Sequence, residues 1–303
     1  MEKRLKDDIF DWMTKFKKSS VKMATYDRLE TSYSLMSKYR ISDIFTQDLS
    51  EDDIQDYVND LAKDGYSLST IKKQFNLISA FIRFANTKGI FARPIYQNVK
   101  LPAQSTVKKQ KREIEVYDIF EQGLLRKVLE SGKFPGYFAA LLMMETGMRI
   151  GECLALTWDD LDWARRAIRI NKTFVRLGNR NRQFIQNGAK SYSSNRIIPM
   201  SQKACEYLNR IDKTCQYIFH NELNEPLSYE AMRYQITKAC NEAHVPYYGQ
   251  HAFRHTFATN CYNRGCDVKI LSKLLGHSNV AITYNVYIHL FGDALEEMRK
   301  VVG

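Results

Sequence analysis

The sequence predicts a mainly α protein with a small antiparallel β-sheet, divided into two domains. Three observations carry this. Apolar residues recur at helical spacing up to about residue 90. A basic, proline-containing stretch without acids breaks the pattern at 98–112. Alternating β-branched residues are confined to 167–200, inside a second helical region. At 303 residues the chain suits two domains, by the usual prior of roughly 100–200 residues each. A hydrophobic content of 44% lets each bury a core. The expected divisions are a helical domain over 1–98, a basic linker over 99–112 and a second domain over 113–303.

The first helix is expected at about 6–18 and the second at about 23–39, where Tyr26, Leu29, Tyr33 and Met36 share a face. Ser50 opens SEDD, a capping-box pattern with Asp53 three residues on, and Gly65 closes that third helix. A fourth runs from about Ser69 to Thr87, with Ile71, Phe75, Ile78, Phe81, Ile82 and Ala85 on one side. Four amphipathic helices imply a small bundle. The stretch VKLPAQSTVKKQKR after it carries five basic side chains. It is either a solvated linker or one that lies on phosphates.

The second part opens with helices at about 117–130, 135–146 and, after the break at Gly147, 149–156. The segments AIRINKTFV, RQFIQNG and NRIIPM read as strands of one antiparallel sheet, turning at Gly178 and Gly188. Helices return near 201–212 and 228–243 and continue to the end, with LEEMRKVV as a short amphipathic tail. There is no internal repeat.

The formal net charge of +11 favours a polyanionic partner, because surplus Lys and Arg displace counterions from a phosphate backbone. The charged N-terminus lacks the apolar core of a signal peptide and no later run is long enough to span a bilayer, so a cytoplasmic protein without membrane partners is expected. The six cysteines form no C-x-x-C pair and are expected as buried free thiols.

Candidate chemistry concentrates in HAFRHTFATNCYNRGCDVKILSKLLGHSNVAITYNVY, residues 251–287. His251 and Arg254 are three apart and on a helix would share a face suited to one anion; a capping His and a surface Arg would leave the same pattern. Asp267 can cap the next helix and Gly276 suits its left-handed end, so that His277 emerges in a fixed direction. Tyr284 and Tyr287 follow on a short helix. They too are three apart, and spacing alone does not choose between them as a nucleophile.

In order and spacing, HAFRHTFATN, LLGHSN and NVYIH resemble the C-terminal motifs of the tyrosine recombinases, the phage-integrase family. ETGMRIGECLALTWDDLD resembles the family's first motif, and AKSYSSNRIIPM its β-hairpin with an active-site lysine. The resemblance spans 112–300, and the four helices before it resemble the family's SAM-like core-binding domain. It implies an α+β catalytic domain with Arg149, Lys190, His251, Arg254, His277 and Tyr287 as catalytic residues, and Glu152 supporting them. It chooses Tyr287 over Tyr284 because the family pattern is Tyr, one residue, then often His, here YIH.

Those roles make chemical sense. A phosphodiester under attack gains charge on its non-bridging oxygens, which two guanidiniums can grip. A phenol of pKa about 10 needs a cationic pocket or a base to act as a nucleophile. Lys190 on the hairpin can protonate the leaving 5′-oxygen, although Lys172, Arg176, Arg180 and Arg182 are nearby cations. The expected reaction is DNA cleavage and rejoining through a 3′-phosphotyrosyl bond, with no metal or other cofactor. Double-stranded DNA is the expected partner. Lys72, Lys73, Lys108, Lys109, Lys111 and Arg112 are candidate contacts to it. The resemblance further implies a tetramer on DNA that is a monomer when free, with accessory DNA-bending or directionality proteins as candidate partners. A type IB topoisomerase, which reseals without exchanging strands, and a non-catalytic DNA-binding protein on the same fold are the alternatives.

Overall fold

A computed structural model describes residues 2–107, 114–178, 182–188 and 195–287, with side chains as far as Tyr284. Contacts divide the chain into two units, Met1–Glu113 with Leu177–Arg182, and Ile114–Arg176 with Gln183–Gly303.

The first unit is a bundle of α1 (Leu5–Trp12), α2 (Met23–Met36), α3 (Glu51–Lys63) and α4 (Leu68–Thr87). Local chemistry sets its ends. The Ser50 hydroxyl accepts from the Asp53 backbone N–H while the Asp53 carboxylate accepts from that of Ser50, so α3 begins with the capping box the sequence suggested. Gly65 follows α3 at φ 83°. Two helices are shorter than their periodicity suggests. After Trp12 the chain widens into a π turn over Met13–Lys17, and α2 gives way at Met36 to tight turns that close on Leu35 and Met36 carbonyls. The core joins Leu5, Ile9 and Trp12 of α1 to Ile54 and Leu61 of α3 and Ile71, Ile78 and Phe81 of α4. Val99, Leu101 and Val107 pack on the same core, so this part of the 99–112 stretch lies on the first unit. Lys72 and Lys73 lie on the exposed side of α4.

In the second unit α5 (Ile119–Leu129), α6 (Pro135–Thr146) and α7 (Ile150–Leu154) precede the strands; α8 (Gln202–Asn209), α9 (Tyr229–Glu242), α10 (Ala252–Asn263), α11 (Val268–Leu275) and α12 (Val280–Tyr287) follow. Helix α6 is buried from Gly136 to Met144 on every side, which explains why its sequence, PGYFAALLMMET, has no polar stripe. It packs against α5, α7, α8, α9 and α10 and is the axis of the unit.

The single sheet expected over 167–200 is instead two. Strands β1 (Leu161–Asp162), β2 (Ala167–Ile170) and β5 (Arg196–Pro199) form one antiparallel sheet in the order β1-β2-β5, while β3 (Lys172–Leu177) and β4 (Arg182–Asn187) pair separately. A Cβ at Gly151 would lie 2.6 Å from the Phe174 carbonyl oxygen, the Thr173 hydroxyl and the Tyr229 hydroxyl. Glycine there lets α7 press directly on β3. Of the cysteines expected to be buried, Cys153, Cys205 and Cys240 are. Cys215, Cys261 and Cys266 are only half-buried, and all six are free. Among the described residues no helix is long and apolar enough to cross a membrane.

Candidate active site

Helix α11 is short, and its two ends are fixed by the residues the sequence marked. The Asp267 carboxylate accepts from the backbone N–H groups of Lys269 and Ile270, and Gly276 ends the helix in the left-handed conformation at φ 66°. The last carbonyls of a helix have no partner within it and carry its negative dipole end, so they favour cations. Here three successive carbonyls each take a different guanidinium. Arg196 Nε donates to the Leu274 oxygen at 2.6 Å, Arg254 Nη2 to that of Leu275 at 2.7 Å, and Arg149 Nη2 to that of Gly276 at 2.9 Å.

Each arginine arrives from a different element. Arg149 lies in extended backbone between α6 and α7. Arg254 stands on α10 and reaches back across α6, donating Nη1 to the Gly147 carbonyl at 2.8 Å. It is 4% exposed, which rules out the surface Arg that an H-x-x-R pattern could equally have meant. Arg196 opens β5, and its side chain is 6% exposed.

Glu152 stands among them at 5% exposure. Its carboxylate accepts from Arg149 Nη1 and from the Arg149 backbone N–H, both at 2.8 Å, and from Arg196 Nη1 and Nη2 at 3.0 and 2.8 Å. Burial alone would raise this carboxyl. The hydrogen bonds and charge of Arg196, then the charge and N–H of Arg149, outweigh it and hold the group at about 2. Two guanidiniums thus bond one carboxylate, and with Arg254 beside them the cluster keeps an excess of positive charge.

His277 follows Gly276 directly. Its Nε2 lies 2.8 Å from Arg254 Nη2, and its Nδ1 lies 2.8 Å from the hydroxyl of Thr283, a residue with 0% exposure on α12. Because a guanidinium only donates, Nε2 accepts, and the ring proton sits on Nδ1 and is given to Thr283. Burial, then the charges of Arg254, Arg149 and Arg196, push this imidazole down to about 4, so it is neutral at pH 7. His255 is likewise at about 4, through burial and then His251 and Arg254. His251, just before α10, has an exposed edge. Burial of the rest of its ring, then the charges of Arg254 and Arg149, lower it too.

The structure therefore bonds four of the sequence-predicted residues in two pairs, Arg149 with Glu152 and Arg254 with His277, which meet at the carbonyls ending α11, with His251 within reach of their charge. Tyr287 is the last residue of α12 and its side chain lies outside the described residues; Tyr284 is 47% exposed. Lys190, Lys108, Lys109, Lys111, Arg112, Arg180 and the LEEMRKVV tail also lie outside them. Lys172, a rival to Lys190 in the sequence, is committed elsewhere. Its ammonium pairs with Asp160 at 2.5 Å and donates to Thr157 at 2.9 Å, with 17% of its side chain exposed. Arg176 pairs with Glu230 at 2.7 Å.

Two residues of the cluster escaped sequence reasoning, Arg196 and Thr283. Strand alternation offered a signal for the first. Ile197 is 66% exposed and Ile198 is 1% exposed, so Arg196, two before Ile198, shares its inward face and needs a buried acid as partner.

Residues 118–293 match the phage integrase family, and residues 8–101 match the phage integrase SAM-like domain. The chain is similar to a XerC-like tyrosine recombinase of Caldanaerobacter subterraneus, 29% identical over 94% of this chain and 79% of the relative. It is also similar to the transposase of transposon Tn916 from Enterococcus faecalis, 32% identical over 54% of this chain and 45% of the relative. In fold it is similar to the Tn1549 transposon integrase solved with transposon right end DNA, with a TM-score of 0.82 at 21% identity over 99% of this chain and 100% of that one. It is also similar to the lambda integrase solved on a COC′ core site, with a TM-score of 0.66 at 16% identity over 92% and 97%. With more than half its length matched to the family, and the paired arginines and the histidine of its C-terminal motifs gathered at one helix end, the chain belongs to the phage integrase family of tyrosine recombinases.

Proposed function

We propose that the chain is a site-specific recombinase that cuts and rejoins double-stranded DNA, with Tyr287 as its nucleophile. The observation that carries the reading is the gathering of Arg149, Arg254 and His277 at the C-terminus of α11 with one carboxylate among three guanidiniums. Such a site attracts a phosphodiester and stabilises the charge that develops on its non-bridging oxygens. Helical spacing supports the choice of tyrosine. Position 287 lies one turn beyond Thr283, the buried partner of His277, whereas Tyr284 is exposed.

In this reading Tyr287 attacks the scissile phosphate and His251 takes the phenolic proton. A 3′-phosphotyrosyl bond forms, and Lys190 protonates the departing 5′-oxygen. The 5′-hydroxyl of a partner strand reverses the step, the bond energy having stayed in the protein–DNA link. Arg149, with 34% of its side chain exposed, meets the phosphate first, and Arg254 supports it from below. His277 cannot donate from Nε2 while neutral with its proton on Nδ1. A bound phosphate offsets the arginine charges, and the ring takes up a second proton, on Nε2, once that nitrogen gives up the bond it accepts from Arg254.

The division 1–98, 99–112 and 113–303 follows the same scheme, with Lys72, Lys73 and Lys108, Lys109, Lys111 and Arg112 contacting phosphates and the cytoplasm as the place of action. Lambda integrase has been solved as a tetramer bound to a Holliday junction, which supports a tetramer on DNA for this chain. Likeness to the Tn916 transposase and to the Tn1549 integrase, solved with circular intermediate DNA, favours a mobile element as its substrate. On a suicide substrate nicked beside the cleavage site, the wild type should accumulate covalent adduct and Tyr287→Phe none, at unchanged DNA affinity. Adduct formation by Tyr287→Phe would overturn the assignment. Exchange of strands between two labelled duplexes separates a recombinase from a type IB topoisomerase.

A further inference from the structure

We propose that Arg196 is a positioning residue for DNA cleavage, which holds the Arg149 guanidinium in place and its charge available to the phosphate by competing for Glu152. The inference rests on Arg149 gripping the phosphate, as argued above. Arg196 is 6% exposed and too deep to meet substrate. Its two terminal nitrogens span both oxygens of Glu152, and its Nε holds the Leu274 carbonyl. A carboxylate has about four acceptor positions. Two here go to Arg196, one to the Arg149 side chain and one to the Arg149 backbone.

The geometry gives this arrangement a consequence for Arg149. If Arg196 were absent, Glu152 would be free to turn both oxygens to Arg149, the other guanidinium bonded to it among the described residues. It would then form a closed pair that neutralises Arg149 and draws it off the Gly276 carbonyl. With Arg196 in place, Arg149 gives Glu152 a single side-chain bond from Nη1, and its Nη2 is turned to Gly276. Gly276 is shaped for this. A Cβ there would lie 2.8 Å from Arg196 Nη1 and 3.1 Å from its Cδ and Cζ, so the guanidinium crosses where any other residue would project. Strand β5 is fastened to the phosphate-gripping arginine through the Glu152 carboxylate.

The test compares single-turnover cleavage of a normal phosphodiester with that of a methylphosphonate at the same position, which lacks the non-bridging charge. Arg196→Gln should cleave the normal substrate ~100-fold more slowly, the size expected of a displaced catalytic group, with DNA affinity within about threefold of wild type. On the methylphosphonate the deficit should shrink to less than ~10-fold, because less charge has to be met. Arg196→Lys keeps the counter-charge but cannot span both oxygens; it should lose only ~10-fold on the phosphodiester and about twofold on the methylphosphonate. If Arg196→Gln does not fold, this Lys pair carries the comparison alone. Arg149→Gln runs alongside. If it gains relative activity on the methylphosphonate while the Arg196 variants keep one deficit on both substrates, Arg196 is merely structural and the proposal falls. If Arg149→Gln shows no such relief, the phosphate role of Arg149 falls, and the proposal with it.

Discussion

Among the described residues of the first unit the ion pairs of Lys3 and Lys15 with Asp11, and of Arg4 and Lys6 with Asp43, lie at the surface, with side chains 33–66% exposed. The second unit has exposed pairs too, but it also withdraws Arg196–Glu152, Lys172–Asp160 and Arg126–Glu145, at 4–19% exposure. Exposed pairs contribute little because solvent already satisfies both charges. Buried pairs are a different matter: removing one partner strands the other without water, so the geometry of the pair is enforced. The bundle therefore keeps these pairs at its surface around an apolar core, whereas the second unit uses charge to hold three arginines at one helix end.

The sharpest way to break this comparison is to remove an acid from each unit. Glu152→Ala should destabilise the second unit by about 3–5 kcal/mol, since Arg196 loses its buried counter-charge. Asp43→Ala should leave the denaturation midpoint of the first unit unchanged. Equal losses on chemical denaturation would contradict the distinction. A smaller effect is expected at Thr283. Valine there keeps the shape but leaves His277 Nδ1–H without an acceptor, at a cost of about 1–3 kcal/mol, and cleavage should slow while DNA binding persists.

Acid should separate the units next. His255 and His277 titrate at about 4 in the folded protein against 6.5 ordinarily, so below 6.5 the unfolded chain binds protons that the folded one refuses. The stability they contribute is present above 6.5 and is lost as pH falls towards 4. All six histidines lie after residue 113. In the first unit Asp11, held down by its hydrogen bond from Lys3, and Asp43, by those from Lys6 and Arg4, lie below the ordinary 3.8, so acid acts there only at lower pH. Hydrogen exchange followed by region from pH 7 to 4.5 should show protection falling first in α10, α11 and α12. The reverse order would contradict the histidine environments. The same histidines make DNA binding take up protons, so affinity should rise modestly from pH 7.5 to 6.

The parts legible in the sequence are those that local chemistry decides. Asp267 and Gly276 fix α11 because a cap and a left-handed residue act over one turn, and Arg149 with Glu152 is an i,i+3 pair. Arg196 meets Glu152 across 44 residues, and no local pattern records that meeting. The close approach of α7 to β3 at Gly151 is again a tertiary event. Thr283 read only as part of a helix start, since the value of its hydroxyl depends on where His277 points.

The central claim is that the cluster serves attack by Tyr287. Its most direct measurement is to trap the protein on a nicked duplex, digest the adduct and sequence the peptide that carries the nucleotide. The account predicts a 3′-phosphoryl group bonded to the Tyr287 oxygen. A nucleotide on Tyr284, on another residue, or joined through a 5′-phosphate would contradict it.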